Sequence, residues 1–144
     1  MNKSPIREET FKLIYSQEIQ KDEKKTQINL YLENNNIENP YDRKYIINVT
    51  KGIQKKSKEI EEIISRNLKE GWSIERIAKI DLALLKLGIY EILYMDKPYK
   101  VIISEIVELA KRYGEETSPS FINGIIAKIV QTDEKISDGG QNGI

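Results

Sequence analysis

The sequence has 144 residues and contains neither cysteine nor histidine. These absences exclude disulfides, thiolate nucleophiles, Fe–S clusters and cysteine-ligated zinc, and they remove the commonest general base and metal ligand. Because 23 Lys and Arg balance 23 Asp and Glu, the net charge is zero and indicates no particular charged partner. The length predicts one domain. No apolar run reaches the roughly 18 residues of a membrane span, so we expect a cytoplasmic protein without membrane partners.

Apolar residues recur at intervals of three and four through most of the chain, which predicts helices and no strand. Seven helical segments are predicted, at residues 5–20, 27–32, 42–69, 73–77, 80–94, 101–113 and 118–130. Such a set makes a compact all-α bundle. Residues 21–25 are predicted to be a solvated loop. We expect a single domain at 1–130, followed by a disordered tail at 131–144 that has little to bury.

Residues 80–94 are the most apolar segment and are predicted to be the central helix. Only Asp81, Lys86 and Glu91 carry charge there, and at 100° per residue they point in three directions. A helix without a polar face must be surrounded by other helices. A buried strand is the alternative, but fifteen residues are too many for one. Asp81 stands where the apolar run begins and is predicted to be its N-cap.

The segment 42–69 is predicted to be an amphipathic outer helix that ends before Gly71, since glycine is common just beyond a helix. Its run of Lys55, Lys56 and Lys58 has two interpretations: a track for phosphates, or a solvated face balanced by neighbouring glutamates. Near the end of the chain, Ser118 is predicted to cap the last helix, because proline follows it at the first helical position.

Three blocks of sequence resemble the NusB family of bacterial transcription antitermination factors. The first is Arg7-Glu8-Glu9 with Leu13-Ile14-Tyr15, and the second is Trp72 followed by Ile-Asp-Leu-Ala-Leu-Leu-Lys-Leu-Gly-Ile-Tyr-Glu-Ile at 80–92. The third runs from Pro98 to Lys111 and ends in Ser-Pro-Ser-Phe-Ile-Asn-Gly-Ile-Ile at 118–126. The resemblance covers about residues 5–130. It implies a bundle of about seven helices in two subdomains, and a binding protein with neither enzymatic activity nor cofactor or metal.

The same resemblance implies the partners. NusB-like proteins pair with NusE, a small-subunit ribosomal protein, and together they bind the single-stranded boxA element of nascent RNA. The complex joins elongating RNA polymerase and suppresses termination, notably on ribosomal RNA operons. By position, the residues implied in RNA binding are Lys3, Arg7, Tyr15, Ser118 and Phe121. Those implied in binding NusE are Glu75, Asp81 and Thr117.

Each of these residues also has a purely structural interpretation. Arg7 could be a solvated side chain paired with Glu8 or Glu9, Tyr15 and Phe121 could be core aromatics, Glu75 could be merely solvated, and Asp81 could be only a cap. The pair Glu105 and Glu108 could hold a metal, but an ordinary ion pair of Glu108 with Lys111 explains the spacing better. Gly124 is predicted to mark a close approach between helices.

Two other functions compete with antitermination. The sparse charge near the N-terminus is compatible with a helical interaction scaffold or homodimer without strong RNA binding of its own. NusB-like domains also occur in some ribosomal RNA methyltransferases, but this sequence has no glycine-rich cofactor loop after a strand.

Overall fold

The computed structural model describes residues 4–20 and 24–132, and within them the chain contains six α-helices, one 3-10 turn and no strand. This confirms the predicted all-α class; the fourth of the seven predicted segments is the 3-10 turn. The helices are α1 (Ser4–Ile19), α2 (Lys24–Asn34), α3 (Pro40–Arg66), α4 (Lys79–Tyr94), α5 (Tyr99–Tyr113) and α6 (Ser118–Thr132), and the 3-10 turn (Ile74–Arg76) lies between α3 and α4.

Helix α4 is the centre of the bundle, as predicted. It packs against α1, α3, α5 and α6, and nearly all its side chains are buried. Helices α1, α2 and α3 pack on one another, and α5 and α6 pack on each other. Both groups share α4 and one apolar core. A Cβ on Gly88 would lie 3.1 Å from Ile106 and 3.2 Å from Ile126, so this glycine lets α5 and α6 approach α4 closely.

The three buried charged residues of α4 have partners inside the bundle, each in a different direction. Asp81 bonds to Ser118 of α6. Lys86 is 2% exposed, and its Nζ lies 2.6 Å from Glu18 of α1 and 2.8 Å from Glu61 of α3. Glu91 is fully buried and receives bonds from α1 and α3. Because buried charges require partners, these three pairs join α4 to its neighbours at defined positions.

Helix α3 begins earlier and ends earlier than predicted. The side chain of Asn39 caps it by accepting bonds from the backbone N–H groups of Tyr41 (2.9 Å) and Asp42 (3.2 Å), with proline at the first helical position. Asn67 ends it, and its backbone N–H bonds to carbonyls of the last turn. Gly71 (φ +85°) belongs to the turn that follows, so its assignment to the helix end is wrong.

Both predicted side-chain caps at α4 and α6 are also wrong. Helix α4 starts at Lys79 after Ala78, which makes no side-chain cap, so Asp81 lies inside the first turn. Ser118 is the first residue of α6, and its Oγ accepts a bond from the backbone N–H of Glu115 at 2.9 Å instead of from a first-turn amide. The Asp81 carboxylate and the Ser118 hydroxyl instead bond to each other and so join α4 to α6. The local sequence around either residue does not indicate this contact.

Gly124 does not mark a helix contact, contrary to the prediction. It lies on an exposed face of α6, and a Cβ there would meet no atom within 4 Å. The close approach in α3 is at Gly52 instead, where a Cβ would overlap the Tyr90 hydroxyl at 1.9 Å. Glycine marks a contact at Gly52, where the Tyr90 side chain of α4 packs on α3, and at Gly88, where isoleucines of α5 and α6 pack on α4.

Some predictions fall partly or wholly outside the described residues. Lys3, residues 21–23 and residues 133–144 are not described. Helix α2 begins at Lys24, so part of the predicted 21–25 loop is helical, and α6 continues to Thr132, two residues into the predicted tail. None of the described helices is long and apolar enough to cross a membrane.

Candidate functional site

An exposed cluster of Trp72, Arg76 and Phe121, here called the aromatic surface, forms where the 3-10 turn meets the start of α6. The Trp72 and Phe121 ring centroids lie 6.3 Å apart with an interplanar angle of 33°. Trp72 is 47% exposed, and Phe121 is half-buried. The guanidinium carbon of Arg76 lies 5.3 Å from the Trp72 ring centroid. Two aromatic faces and a cation are thus presented together at the surface.

This arrangement suits unpaired nucleic-acid bases. Aromatic faces stack bases of any sequence, and a neighbouring arginine adds cation–π and phosphate contacts. Phe121 was identified from the resemblance, but Trp72 and Arg76 were missed as site residues. A usable signal existed: the single tryptophan of the chain follows Gly71 in a turn, and an arginine stands four residues later. Contact of a large apolar ring with water is unfavourable, so an exposed tryptophan beside another aromatic ring indicates a contact surface.

Asp81 and Ser118 lie beneath this surface and join α4 to α6. Ser118 is buried and donates to the Asp81 carboxylate while accepting from Glu115. Asp81 is 8% exposed, and its Oδ1 has no hydrogen-bond partner among the described residues. Burial raises the pKa of Asp81 above its usual value, opposed by the Ser118 hydrogen bond and reinforced by the Glu115 charge. A buried unsatisfied oxygen is the kind of atom that a partner's donor could satisfy.

The two remaining residues assigned to the partner are exposed at the same junction. Glu75 belongs to the 3-10 turn beside Arg76, and Thr117 immediately precedes α6. The carbonyl of Thr117 accepts the Phe121 backbone N–H at 3.1 Å. The structure therefore brings together Glu75, Asp81, Thr117, Ser118 and Phe121, which come from two separate parts of the sequence.

Arg7 lies in a buried network on a different element, α1. Its Nε is 2.7 Å from Glu91 Oε2, its Nη2 is 3.2 Å from Glu91 Oε1, and its Nη1 is 3.0 Å from Glu105 Oε1. Tyr45 Oη donates to Glu91 Oε1 at 2.6 Å, and Ser4 donates to Glu105. Burial and the Glu91 charge raise the pKa of Tyr45, so its phenol stays protonated as a donor.

The alternative of a solvated Arg7 paired with Glu8 or Glu9 is wrong, since Arg7 is 6% exposed and bonds to α4 and α5. Glu8 bonds instead to Arg112 and Tyr113, and Glu9 bonds to Tyr31. A phosphate could reach the Arg7 guanidinium only by displacing its carboxylates. The role of Arg7 in RNA binding stays a prediction. In the structure, its ion pairs with Glu91 and Glu105 hold α1 against α4 and α5.

Tyr15 is half-buried on α1, where its ring stacks on Phe11 at a centroid distance of 6.2 Å. It packs partly on the core, so part of its surface remains accessible.

The pair Glu105 and Glu108 was considered above as a possible metal site. Glu105 is engaged by Arg7, and Glu108 pairs with Lys111 at 3.4 Å. In the part of the chain that the structure describes, no group of three or more Asp or Glu residues could hold a metal ion.

An all-helical bundle with an exposed aromatic and cationic surface has the features of a binding protein. Residues 4–131 match the model of the NusB family. The transcription antitermination protein NusB of Acetivibrio thermocellus is 46% identical over 143 residues, which cover 99% of this chain and 97% of that protein. A T. maritima NusB structure superposes with a TM-score of 0.84 at 30% identity, covering 96% and 98% of the two chains. The chain therefore belongs to the NusB family. NusB itself is a transcription antitermination protein and not an enzyme.

A further solved structure has the same fold. It contains the antitermination factors NusB and NusE in complex with double-stranded RNA, and it superposes with a TM-score of 0.83 at 23% identity. The match covers 91% of this chain and 97% of that one. At this identity the likeness establishes the fold.

The buried carboxylate of Asp81 predicts a pH-dependent cost. Because the pKa of Asp81 is raised in the folded chain, the folded chain holds this proton more tightly than the unfolded chain does. The free energy of unfolding therefore falls as the pH rises above the usual Asp pKa of 3.8. We expect Asp81→Asn to abolish this decline. Urea unfolding of both proteins between pH 4 and pH 7 measures it. A wild type that gains stability relative to the variant over this range would contradict the expectation.

Proposed function

We propose that this chain acts with a NusE-type ribosomal protein to bind the single-stranded boxA element of nascent RNA. The pair then joins elongating RNA polymerase in the cytoplasm and suppresses termination, notably on ribosomal RNA operons. The observation that carries the proposal is the aromatic surface, where Trp72 and Phe121 present ring faces beside Arg76. Membership of the family supports it, as does the crystal structure of another NusB with NusE and double-stranded RNA.

Within this proposal the two ligands meet at adjacent parts of one surface. Phe121 and Trp72 stack bases, and the Arg76 guanidinium attracts phosphate. Glu75, Thr117 and Asp81 bind NusE, and because Asp81 Oδ1 is buried, a donor of the partner reaches it only if the residues that cover it move. Further RNA contacts on the N-terminal side come from Lys3, Arg7 and Tyr15. For Arg7 to bind RNA, its guanidinium must first be released from Glu91 and Glu105.

The test is the affinity of the complex with NusE for boxA RNA. Phe121→Ala is expected to weaken binding by about 1–3 kcal/mol, because one stacked base is lost. The salt dependence of binding should not change, because the substitution removes no charge. Val101→Ala, at an exposed apolar residue of α5, is the matched control. Equal affinities of the two variants would place the RNA on another surface.

An interaction scaffold or homodimer without strong RNA binding of its own is the second candidate. The engagement of Arg7 inside the bundle favours it, because that removes a free cation from the first helix. Under this function NusE would still bind, and boxA RNA would bind neither the chain nor the pair. The same affinity measurement therefore separates the two candidates.

A further inference from the structure

Four lysines of α3 form an exposed line along its outer face. Lys44, Lys51, Lys55 and Lys58 are separated by seven, four and three residues, which places them within roughly 60° around the helix axis. At 1.5 Å per residue the line is about 21 Å long. All four side chains are exposed. On a chain of zero net charge, this makes a local basic surface, here called the lysine line.

The lysines of this line are not neutralised within the molecule. Among residues 4–20 and 24–132, none of the four ammonium groups has an ion-pair partner. Lys56 differs, because it points elsewhere, pairs with Glu59 at 3.6 Å and lies over the Tyr94 ring at 5.5 Å. The nearby Glu61 is bonded to Lys86. The sequence allowed two interpretations of the run Lys55, Lys56 and Lys58: a track for phosphates, or a solvated face balanced by glutamates. In the structure Lys56 is the member that pairs with a glutamate, whereas Lys55 and Lys58 belong to the lysine line.

The C-terminal end of the lysine line reaches the 3-10 turn that carries Arg76 of the aromatic surface. Lys58 and Arg66 line an open cleft of about 430 Å³ together with two carboxylates, those of Glu61 and Glu62, and Ile74 of the 3-10 turn lines it as well. Arg76 of that same turn lies over Trp72. Past the other end of the line stands Tyr41, which is 73% exposed. Exposed Tyr41, the lysine line and the 3-10 turn that carries Arg76 therefore follow one another along α3 and past its C-terminal end.

We propose that the lysine line binds the backbone of single-stranded RNA that flanks the element held at the aromatic surface. Lysine ammonium groups neutralise phosphates without reading sequence, and Tyr41 offers a stacking face for a flanking base. The apolar side of α3 is packed in the core, so the helix has no apolar face for a lipid surface. The inference rests on the proposed RNA binding and extends it to a second, sequence-independent contact.

The experiment compares two RNAs and three proteins, each protein in complex with NusE. One RNA is the boxA element alone, and the other carries about ten unstructured nucleotides on each side. The test variant replaces Lys44, Lys51 and Lys55 with glutamine. The control variant makes the same change in charge elsewhere, with Lys97→Gln, Lys100→Gln and Lys111→Gln. Affinities are measured over a range of salt concentrations.

For the wild type, the extended RNA should bind more tightly and with a steeper salt dependence than the short one. The test variant should lose about 10- to 100-fold in affinity for the extended RNA at 0.1 M salt, with a slope shallower by about 2, since each neutralised phosphate contributes about 0.7. Its affinity for the short RNA should stay unchanged, which also shows that it folds. The control variant should keep the wild-type slope.

Two results would overturn the inference, and they are distinguishable. If the wild type binds the short RNA but the test variant keeps the wild-type slope on the extended RNA, the lysine line does not contact RNA and the proposed function stands. If the wild-type complex binds neither RNA, the proposed function fails and the inference fails with it.

Discussion

Replacing Arg7 with methionine is expected to lower the free energy of unfolding by about 3–5 kcal/mol, because removing one partner leaves a buried charge uncompensated. Glu91 is fully buried, and after the substitution only the Tyr45 hydroxyl would remain of its side-chain partners named above. Chemical denaturation monitored by circular dichroism measures the loss.

Arg112→Met is the matched control for this change. Arg112 also pairs with a glutamate, Glu8, at 2.6 Å, but its side chain is exposed. Exposed ion pairs contribute about 0–1 kcal/mol, so the control should be nearly neutral. The double variant of Arg7→Met and Glu91→Leu should recover part of the loss, since it removes both charges. A loss below 1 kcal/mol for Arg7→Met alone would show that Glu91 finds water or another partner.

Truncating Leu84 to alanine is expected to cost about 2–5 kcal/mol, because the side chain is completely buried in α4 and the cavity left behind cannot collapse fully. Leu87 and Ile92 are buried in the same helix and should behave alike. The control is Val101→Ala on the exposed face of α5, where surface substitutions usually change stability by less than 0.5 kcal/mol. Equal midpoints of urea unfolding for Leu84→Ala and Val101→Ala would mean that α4 is not central.

The parts of the fold that depend on composition along the chain were predictable from the sequence. Helix α4 has apolar residues on all sides, and only burial among other helices satisfies that pattern. The helix predicted at residues 101–113 begins two residues earlier, at Tyr99, and ends at Tyr113 as predicted. Such features follow from periodicity and from the conformational preference of single residues.

The contacts between distant segments were not predictable. Arg7 and Glu91 are separated by 84 residues, and no local pattern indicates that an arginine near the N-terminus is buried against α4. The aromatic surface likewise joins Trp72 to Phe121, with helices α4 and α5 between them in the sequence, and only Phe121 was recognised as a site residue. Asp81 and Ser118 looked like caps because each stands near a helix start, and their use between helices depends on packing alone.

The most direct test of the proposed function is a titration of boxA RNA with the chain alone and with the chain in complex with NusE. With zero net charge and Arg7 held by carboxylates, the chain alone should neutralise few phosphates. We predict weak binding with a shallow dependence on salt for the chain alone, since log affinity for single strands falls by about 0.7 per neutralised phosphate. With NusE present, we predict markedly tighter binding. Tight binding by the chain alone that NusE does not improve, or no binding in either case, would contradict the proposed function.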